Sequence, residues 1–277
     1  MLASAASFAA MGAVIKSLAG ALPTEMVVFF RALFGLGALL PWLWWHRVSL
    51  RTRRWPMHLA RGLAGITAMY CFFYALAHLP LGEAVLLNYS APLFVPFIAF
   101  LWLRERVPGR LWWAIGIGFA GIVLVLRPGL ALFSPTALVG LASGVLAAIA
   151  TVGIRGLTRT EPAARIVFYF SLTGIAVSAL PLPFIWVSPT PELWVRLLGI
   201  GALATIGQLL LTAAYAAASA ARVGPFSYSA PVLASVLGWW FWAEAPDLPA
   251  YAGAALVVGA GILALRFGKQ DSSAPEK

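Results

Sequence analysis

Long stretches of this chain contain no Asp, Glu, Lys or Arg: residues 84–103, 128–154, 166–191, 197–221, 223–243 and 248–265 are all uncharged, and 62–82 interrupts its apolar pattern with a single histidine, His78. A helix of about 20 apolar residues crosses the hydrocarbon core of a bilayer. Shorter apolar runs end at Ile15, Trp45 and Leu126. Lipid gives the backbone no hydrogen-bond partner, so each run is predicted as a helix that satisfies its own N–H and C=O groups. The pattern predicts ten helices, centred near residues 9, 35, 70, 94, 118, 144, 175, 207, 233 and 257. No polar segment between them is long enough for a soluble domain. The tail KQDSSAPEK at 269–277 is expected to be disordered. Met1 enters the first apolar run without a basic stretch before it, which argues against a cleaved signal peptide.

Composition agrees with this picture. Hydrophobic residues make up 62% of the chain and charged residues 10%, against about a quarter charged in soluble domains. The net charge of +10 would point to nucleic acid in a soluble protein. Here it follows membrane topology, because basic residues concentrate in cytoplasmic segments. With both termini cytoplasmic, Arg47, Arg51, Arg53, Arg54, Arg61, Arg104, Arg106, Arg110, Arg155, Arg159, Arg165, Arg222, Arg266, Lys269 and Lys277 fall inside, and only Lys16, Arg31, Arg127 and Arg196 fall in the outer half. No nucleic-acid partner is expected. The lone Cys71 sits in a helical run and carries no disulfide framework.

One phrase occurs twice. YSAPLFVPFIAFLWLRE at 89–105 returns as YSAPVLASVLGWWFWAE at 228–244, with the Tyr-Ser-Ala-Pro opening and the final Glu unchanged. At the same 139-residue offset, KSLAGALPTEMVVF (16–29) matches RGLTRTEPAARIVF (155–168). The first phrase ends in basic Arg104-Glu105-Arg106 and the second in Ala243-Glu244-Ala245, as segments on opposite membrane faces should. Five helices per copy force the second to insert upside down. The expected fold is therefore all-α and integral to the membrane: ten helices in two inverted five-helix repeats, residues 1–133 and 134–268. Such repeats build secondary transporters with a site at the midplane between the halves.

Polar residues at membrane depth mark the candidate site. Thr67, Cys71, Tyr74 and His78 share one face of the third helix, and Gln208, Thr212, Tyr215 and Ser219 share one face of the eighth at the same spacing. Pro92 and Pro231 cannot donate to the carbonyl four residues back, which frees the oxygens of Asn88 and Ser227 beside Tyr89, Ser90, Tyr228 and Ser229. Small polar groups also serve helix contacts. Matched stripes beside matched prolines predict a shared cavity, with Tyr74, His78, Asn88, Tyr89, Gln208, Thr212, Tyr215, Tyr228 and Ser229 as substrate ligands and Pro92 and Pro231 as hinges. Gly140 and Gly144 form a GxxxG, read as packing within the chain, and Ala255 with Gly259 a weaker small-residue pair. Lys16, near its helix end, is read as a snorkelling cation, whereas Arg31 lies deeper and faces protein or cavity.

All nine acidic residues fall at predicted helix ends, in loops or in the tail. No metal cluster, catalytic constellation, phosphate loop or dinucleotide fingerprint is found, so neither a cofactor nor an enzyme activity is expected.

Ten helices in two halves, each with a proline followed thirteen residues later by Glu (Pro92 to Glu105, Pro231 to Glu244), together with Lys16 and Arg31, resemble the EamA-type exporters of the drug/metabolite transporter superfamily over residues 1–268. The aromatic, carboxylate-free interior is similar to the bacterial aromatic amino acid exporter branch. One departure is that Arg31 has Phe170 at its repeat-equivalent position. The resemblance implies a monomeric, multi-pass protein of the bacterial inner membrane that exports small zwitterionic metabolites, chiefly neutral and aromatic amino acids. Nucleosides or drug-like compounds are the alternative cargo, and a scaffold or intramembrane enzyme the alternative class.

Overall fold

Prolines set several helix starts. Pro23, Pro80 and Pro162 each precede a helix with ψ of 141°, 137° and 144°. At that point a missing N–H costs nothing, because the first turn has no acceptor for it. Pro23 and Pro162 are partners in the 139-residue register. Gly20, with φ +80°, turns the chain out of the first helix, a conformation that glycine adopts without a Cβ clash.

A computed structural model describes residues 1–103, 109–126, 134–158, 160–217, 226, 229–245 and 247–270. These form α1 (Leu2–Ser17), α2 (Thr24–Trp45), α3 (Trp55–His78), α4 (Leu81–Asn88), α5 (Ala91–Leu103), α6 (Gly109–Leu126), α7 (Pro135–Thr158), α8 (Ala163–Ala179), the single turn α9 (Leu182–Ile185), α10 (Pro191–Ala217), α11 (Ser229–Trp242) and α12 (Leu248–Gln270). Among the described residues there is no strand. Among the described residues, Thr24–Trp45, Trp55–His78 and Pro135–Ile154 are long and apolar enough to cross a membrane by length and composition alone. The single fourth helix expected from the sequence is instead two, α4 and α5, broken at Tyr89 and Ser90.

Large side chains cover the outside: Trp44, Trp45 and Phe184 are each more than four-fifths exposed. In water this would be untenable over so much surface, and in lipid it is the expected solvent-facing layer. Inside, α1 packs on α10 and α11, α3 on α7 and α8, α2 on α8, α4 on α11 and α7, and α6 on α12. The main core collects Met11, Ile15, Met26, Phe73, Leu76, Leu81, Leu197 and Ile200 around α1. Glycines allow the closest crossings. A Cβ on Gly121 of α6 would stand 2.7 Å from the Gly253 carbonyl of α12, and one on Gly207 of α10 would stand 3.0 Å from the Phe8 ring. The α1–α10 seam is also pinned by hydroxyls: Ser4 Oγ donates to Gly207 O at 2.7 Å and Ser7 Oγ to Leu203 O at 2.8 Å.

Candidate functional site

The break between α4 and α5 is the first element of the site. Ser90 is buried and its hydroxyl donates to Leu87 O at 2.6 Å, ending the α4 ladder from within. Continuous helix would leave no such irregularity, and backbone departs from helix in membranes only where protein or a cavity meets it. The neighbour here is α7. A Cβ on Gly144 would lie 2.6 Å from both Leu87 O and Ser90 Oγ, and one on Gly140 would lie 2.9 Å from Leu87 Cδ1. The GxxxG thus packs within the chain, as expected. Between its glycines, buried Ser143 accepts a hydrogen bond from Asn88 Nδ2 at 3.1 Å and donates its own proton to Gly140 O. Sequence reasoning passed over Ser143. The one polar residue inside a small-residue motif was the available signal.

The second phrase repeats this chemistry. Ser229 Oγ donates to Phe226 O at 2.6 Å, the 139-residue counterpart of the Ser90–Leu87 bond, and opens α11 with Pro231 buried in its first turn. Tyr89 is half-buried against the main core. On α3, Tyr74 and His78 stack with ring centroids 4.2 Å apart, and His78 Nδ1 lies 2.8 Å from Tyr74 O, which fixes its proton on that nitrogen. Both are exposed, as is Gln208 on α10. Pro92 is half-buried at the start of α5. The side chains of Thr212 and Tyr215, and all of Tyr228, Ser227 and Ser219, lie outside the described residues.

Beside His78 a cavity of about 510 Å³ opens, lined by Lys16, Ser17, Ala77, Pro80, Trp242 and Glu244 among others. Here the sequence expectation for Lys16 is overturned. Its side chain is 9% exposed; Nζ sits 2.7 Å from Glu244 Oε1 and donates to Leu79 O at 2.6 Å. A snorkelling lysine would reach water, but this one is satisfied internally. Glu244, the last letter of the repeated phrase, accepts on its other oxygen from the Leu81 N–H at 2.8 Å, placing a carboxylate at the positive N-terminus of α4. One ion pair therefore joins α1, the α3–α4 turn and the end of α11. The chain bends to make it. Ala243 adopts φ +55°, an uncommon conformation for a residue with a Cβ, and Gly238 leaves the room that Glu244 fills, since a Cβ there would lie 3.0 Å from Oε2. Trp242 lies under the ammonium, 5.6 Å from ring centroid to Nζ. Trp242 lines the cavity, while Trp239 and Trp240 are exposed.

At the other end of α3 a buried carboxylate ties two connections together. Glu161 accepts from Thr52 Oγ1 at 2.7 Å and from Arg165 Nη1 at 2.5 Å, and stands 3.8 Å from His58 Nε2. Burial alone would raise its pKa. The Thr52 hydroxyl, the Arg165 guanidinium and His58 outweigh burial and hold the carboxyl below its usual range. Arg165 Nε and Tyr169 hydroxyl add bonds to Ser49 O and Leu50 O, at 2.7 and 2.8 Å. One further sequence assignment changes here: Arg61, read with the cytoplasmic segments, is buried within α3, and His58 beside it is buried too.

Among the described residues no group of three or more His, Cys, Asp or Glu is placed to hold a metal. The described residues here offer hydroxyls, an amide, aromatic faces and one ion pair.

Known proteins place this architecture. The EamA-like transporter family matches residues 1–127 and again 134–266. The chain is 37% identical over 270 residues to the pseudopaline exporter CntI of Pseudomonas aeruginosa, covering 95% of this chain and 93% of that one. It is 29% identical to a riboflavin transporter of Brucella anthropi over 91% of this chain and 90% of that one, and 25% identical to an S-adenosylmethionine uptake transporter of Rickettsia felis over 89% and 84%. A crystal structure whose description names no function aligns with TM-score 0.65 and 23% identity, over 98% of this chain and 99% of that one, and shows the fold alone. With the repeated broken-helix phrase and its helix-only, lipid-faced bundle, the chain belongs to the EamA-like transporter family of the drug/metabolite transporter superfamily: it is a multi-pass membrane transporter of small molecules and not an enzyme.

Proposed function

We propose that this protein exports small zwitterionic metabolites, neutral and aromatic amino acids among them, across a bacterial inner membrane by alternating access between two inverted five-helix halves. The observation that carries this reading is the Lys16–Glu244 pair. It joins the first helix to the end of the second repeated phrase at the mouth of a cavity that His78 lines. A contact of opposite charges between the two halves, formed at one end of the bundle, is what a closed gate requires. The packing supports the inverted repeat as well: exchanging the first five spans with the last five turns the α1–α10 contact into α7–α3 and returns α2–α8, α4–α11 and α6–α12 onto themselves. The two halves divide at residues 133 and 134, and the protein works as a monomer with both termini in the cytoplasm.

Recognition in this reading uses Tyr74, His78, Asn88, Tyr89, Gln208, Thr212, Tyr215, Tyr228 and Ser229, with Pro92 and Pro231 as hinges. An ammonium suits freed backbone oxygens and ring faces, and an aromatic side chain suits the remaining rings. Export as the direction draws support from the relative named as a pseudopaline exporter. Relatives named for riboflavin and S-adenosylmethionine support a second reading, in which the cargo is a nucleoside-like or drug-like compound.

Counterflow decides between them. Purified protein in liposomes preloaded with unlabelled L-phenylalanine should accumulate labelled L-phenylalanine, and Asn88→Ala should lower the rate at equal protein content. Counterflow of riboflavin or adenosine with none of any amino acid would replace the amino acid reading with the second one.

A further inference from the structure

Two arginines lie inside the helix bundle without an anion. Arg61 on α3 is 9% exposed, and its Nε and Nη1 are buried with no hydrogen-bond partner. Arg31 on α2 has a buried, unpartnered Nε, and its Nη1 finds only the Met69 sulfur at 3.5 Å. Arg31 reaches Met69 of α3, the helix that carries Arg61, and α2, α3 and α8 pack on one another around the two guanidinium groups. Among the described residues neither forms an ion pair.

The surroundings hold these groups in place without neutralising them. Arg61 Cζ stands 3.8 Å from the centroid of Phe170, the residue that occupies the repeat-equivalent position of Arg31. Glycines let the walls close in: a Cβ on Gly65 would be 2.9 Å from the Phe170 ring, and a Cβ on Gly153 of α7 would be 3.0 Å from Arg61 Cβ. A ring face offsets only part of the desolvation of a guanidinium, and it satisfies none of the in-plane N–H groups. A guanidinium cannot escape by losing its proton, unlike lysine or histidine. Two fixed cations with orphaned donors and no counter-charge among the described residues call for an anion, which a bound solute can supply. The planar, forked donors of arginine match a carboxylate.

We infer that Arg31 and Arg61 form a carboxylate subsite for the transported solute, and that the pair favours solutes carrying two carboxylates over solutes carrying one. This rests on the transporter reading and sharpens its substrate class. One carboxylate leaves a net buried positive charge, whereas two neutralise the pair. The subsite lies where α2, α3 and α8 meet.

The test uses the full-length protein in lipid nanodiscs and three related probes: 4-carboxy-L-phenylalanine, L-phenylalanine and phenethylamine, with two, one and no carboxylates. Binding is read by intrinsic tryptophan fluorescence. Affinity should fall at least tenfold at each step of the series. Arg31→Gln should bring 4-carboxy-L-phenylalanine down to the affinity of L-phenylalanine, Arg61→Gln should do the same, and Arg61→Lys should recover part of the loss by restoring charge without the fork. A flat series in the parent protein overturns the subsite, and so do monodisperse Arg31→Gln and Arg61→Gln variants that keep the parent affinities. Should Arg61→Gln fail to fold, the parent series and Arg31→Gln still decide. Counterflow of the same probes separates the two claims: a steep binding series without counterflow refutes transport of these compounds alone, and counterflow with a flat series refutes the subsite alone.

Discussion

Lys16 shows how much one residue's meaning depends on partners far along the chain. Read locally, a lysine one residue from the end of α1 is a cation reaching for water. Its actual partner is Glu244, which sits at a helix end in the other repeat and accepts from Lys16 and from the Leu81 N–H at once. Removing one member of a buried pair strands the other charge, at about 3 kcal/mol or more when burial is complete. Glu244 keeps 20% of its side chain exposed, so the cost here lies at or below that lower end. Lys16→Met and Glu244→Met should each lower the melting temperature of detergent-purified protein, and the double variant should be more stable than either single one. The charge swap Lys16→Glu with Glu244→Lys should stay below the parent, because it turns a carboxylate towards Leu79 O and an ammonium towards the Leu81 N–H. Equal melting temperatures for all four proteins would show that the pair carries no stability. Sequence alone made Glu244 visible through the repeated phrase, yet periodicity has no term for contacts between distant positions, and so the pairing was not legible. Arg61 was misread for a related reason. It follows a run of loop arginines, and only the packing of α3 against α7 and α8 takes it inside.

Individual helices were largely legible, and their irregularities less so. Charge-free runs fall on helices because lipid leaves the backbone one economical solution. Pro92, two residues after Ser90, marked a segment that breaks. What it could not reveal is that α4 stops at Asn88 and α5 starts at Ala91, since that break depends on Ser90 and on the close approach of α7. Gly144 is the tightest point of this contact. Gly144→Ala would drive a methyl against the Leu87 carbonyl and the Ser90 hydroxyl and should destabilise by about 1 to 3 kcal/mol, as overpacking does. Gly199→Ala, where nothing lies within 4 Å, should be neutral or stabilising by up to about 1 kcal/mol from helix propensity. Melting curves of the two variants check the contrast, and a Gly144→Ala protein as stable as the parent would remove α7 as the cause of the break. The connections at the other end of α3 depend on Glu161, whose carboxyl is held below its usual range. A depressed folded-state pKa contributes stability above the unfolded value near 4.5, and this is lost as pH falls through the lower folded value. The parent should therefore lose melting temperature as pH drops below about 4.5, and Glu161→Gln should start lower and flatten that acid limb. An unchanged limb would mean that Glu161 does not anchor these connections.

At the scale of the molecule, the proposed alternating access turns on the contacts between the two halves. α4, which leads into the first copy of the repeated phrase, and α11, which carries the second, meet directly at the end where Lys16 pairs with Glu244: a Cβ on Gly238 would stand 3.2 Å from Leu81 Cβ. That separation is close to the 3.5 to 4.5 Å that a disulfide requires, so cysteines at these two positions can be joined with a small adjustment. In a Cys71→Ser background, Leu81→Cys with Gly238→Cys should transport when reduced, stop when oxidised with copper phenanthroline, and recover on reduction. Each single cysteine variant should ignore the oxidant, which separates the crosslink from the effect of crowding Glu244. The physical argument is that alternating access trades one closed end for the other, and a covalent bond at α4–α11 forbids the trade whatever the solute. Such a lock acts on kinetics rather than affinity: the solute should still bind from the open side with its usual strength while turnover falls to background. Oxidised protein that transports at the reduced rate would show that α4 and α11 stay together throughout the cycle, and the opening would then have to lie along the α3–α7 and α1–α10 seams instead.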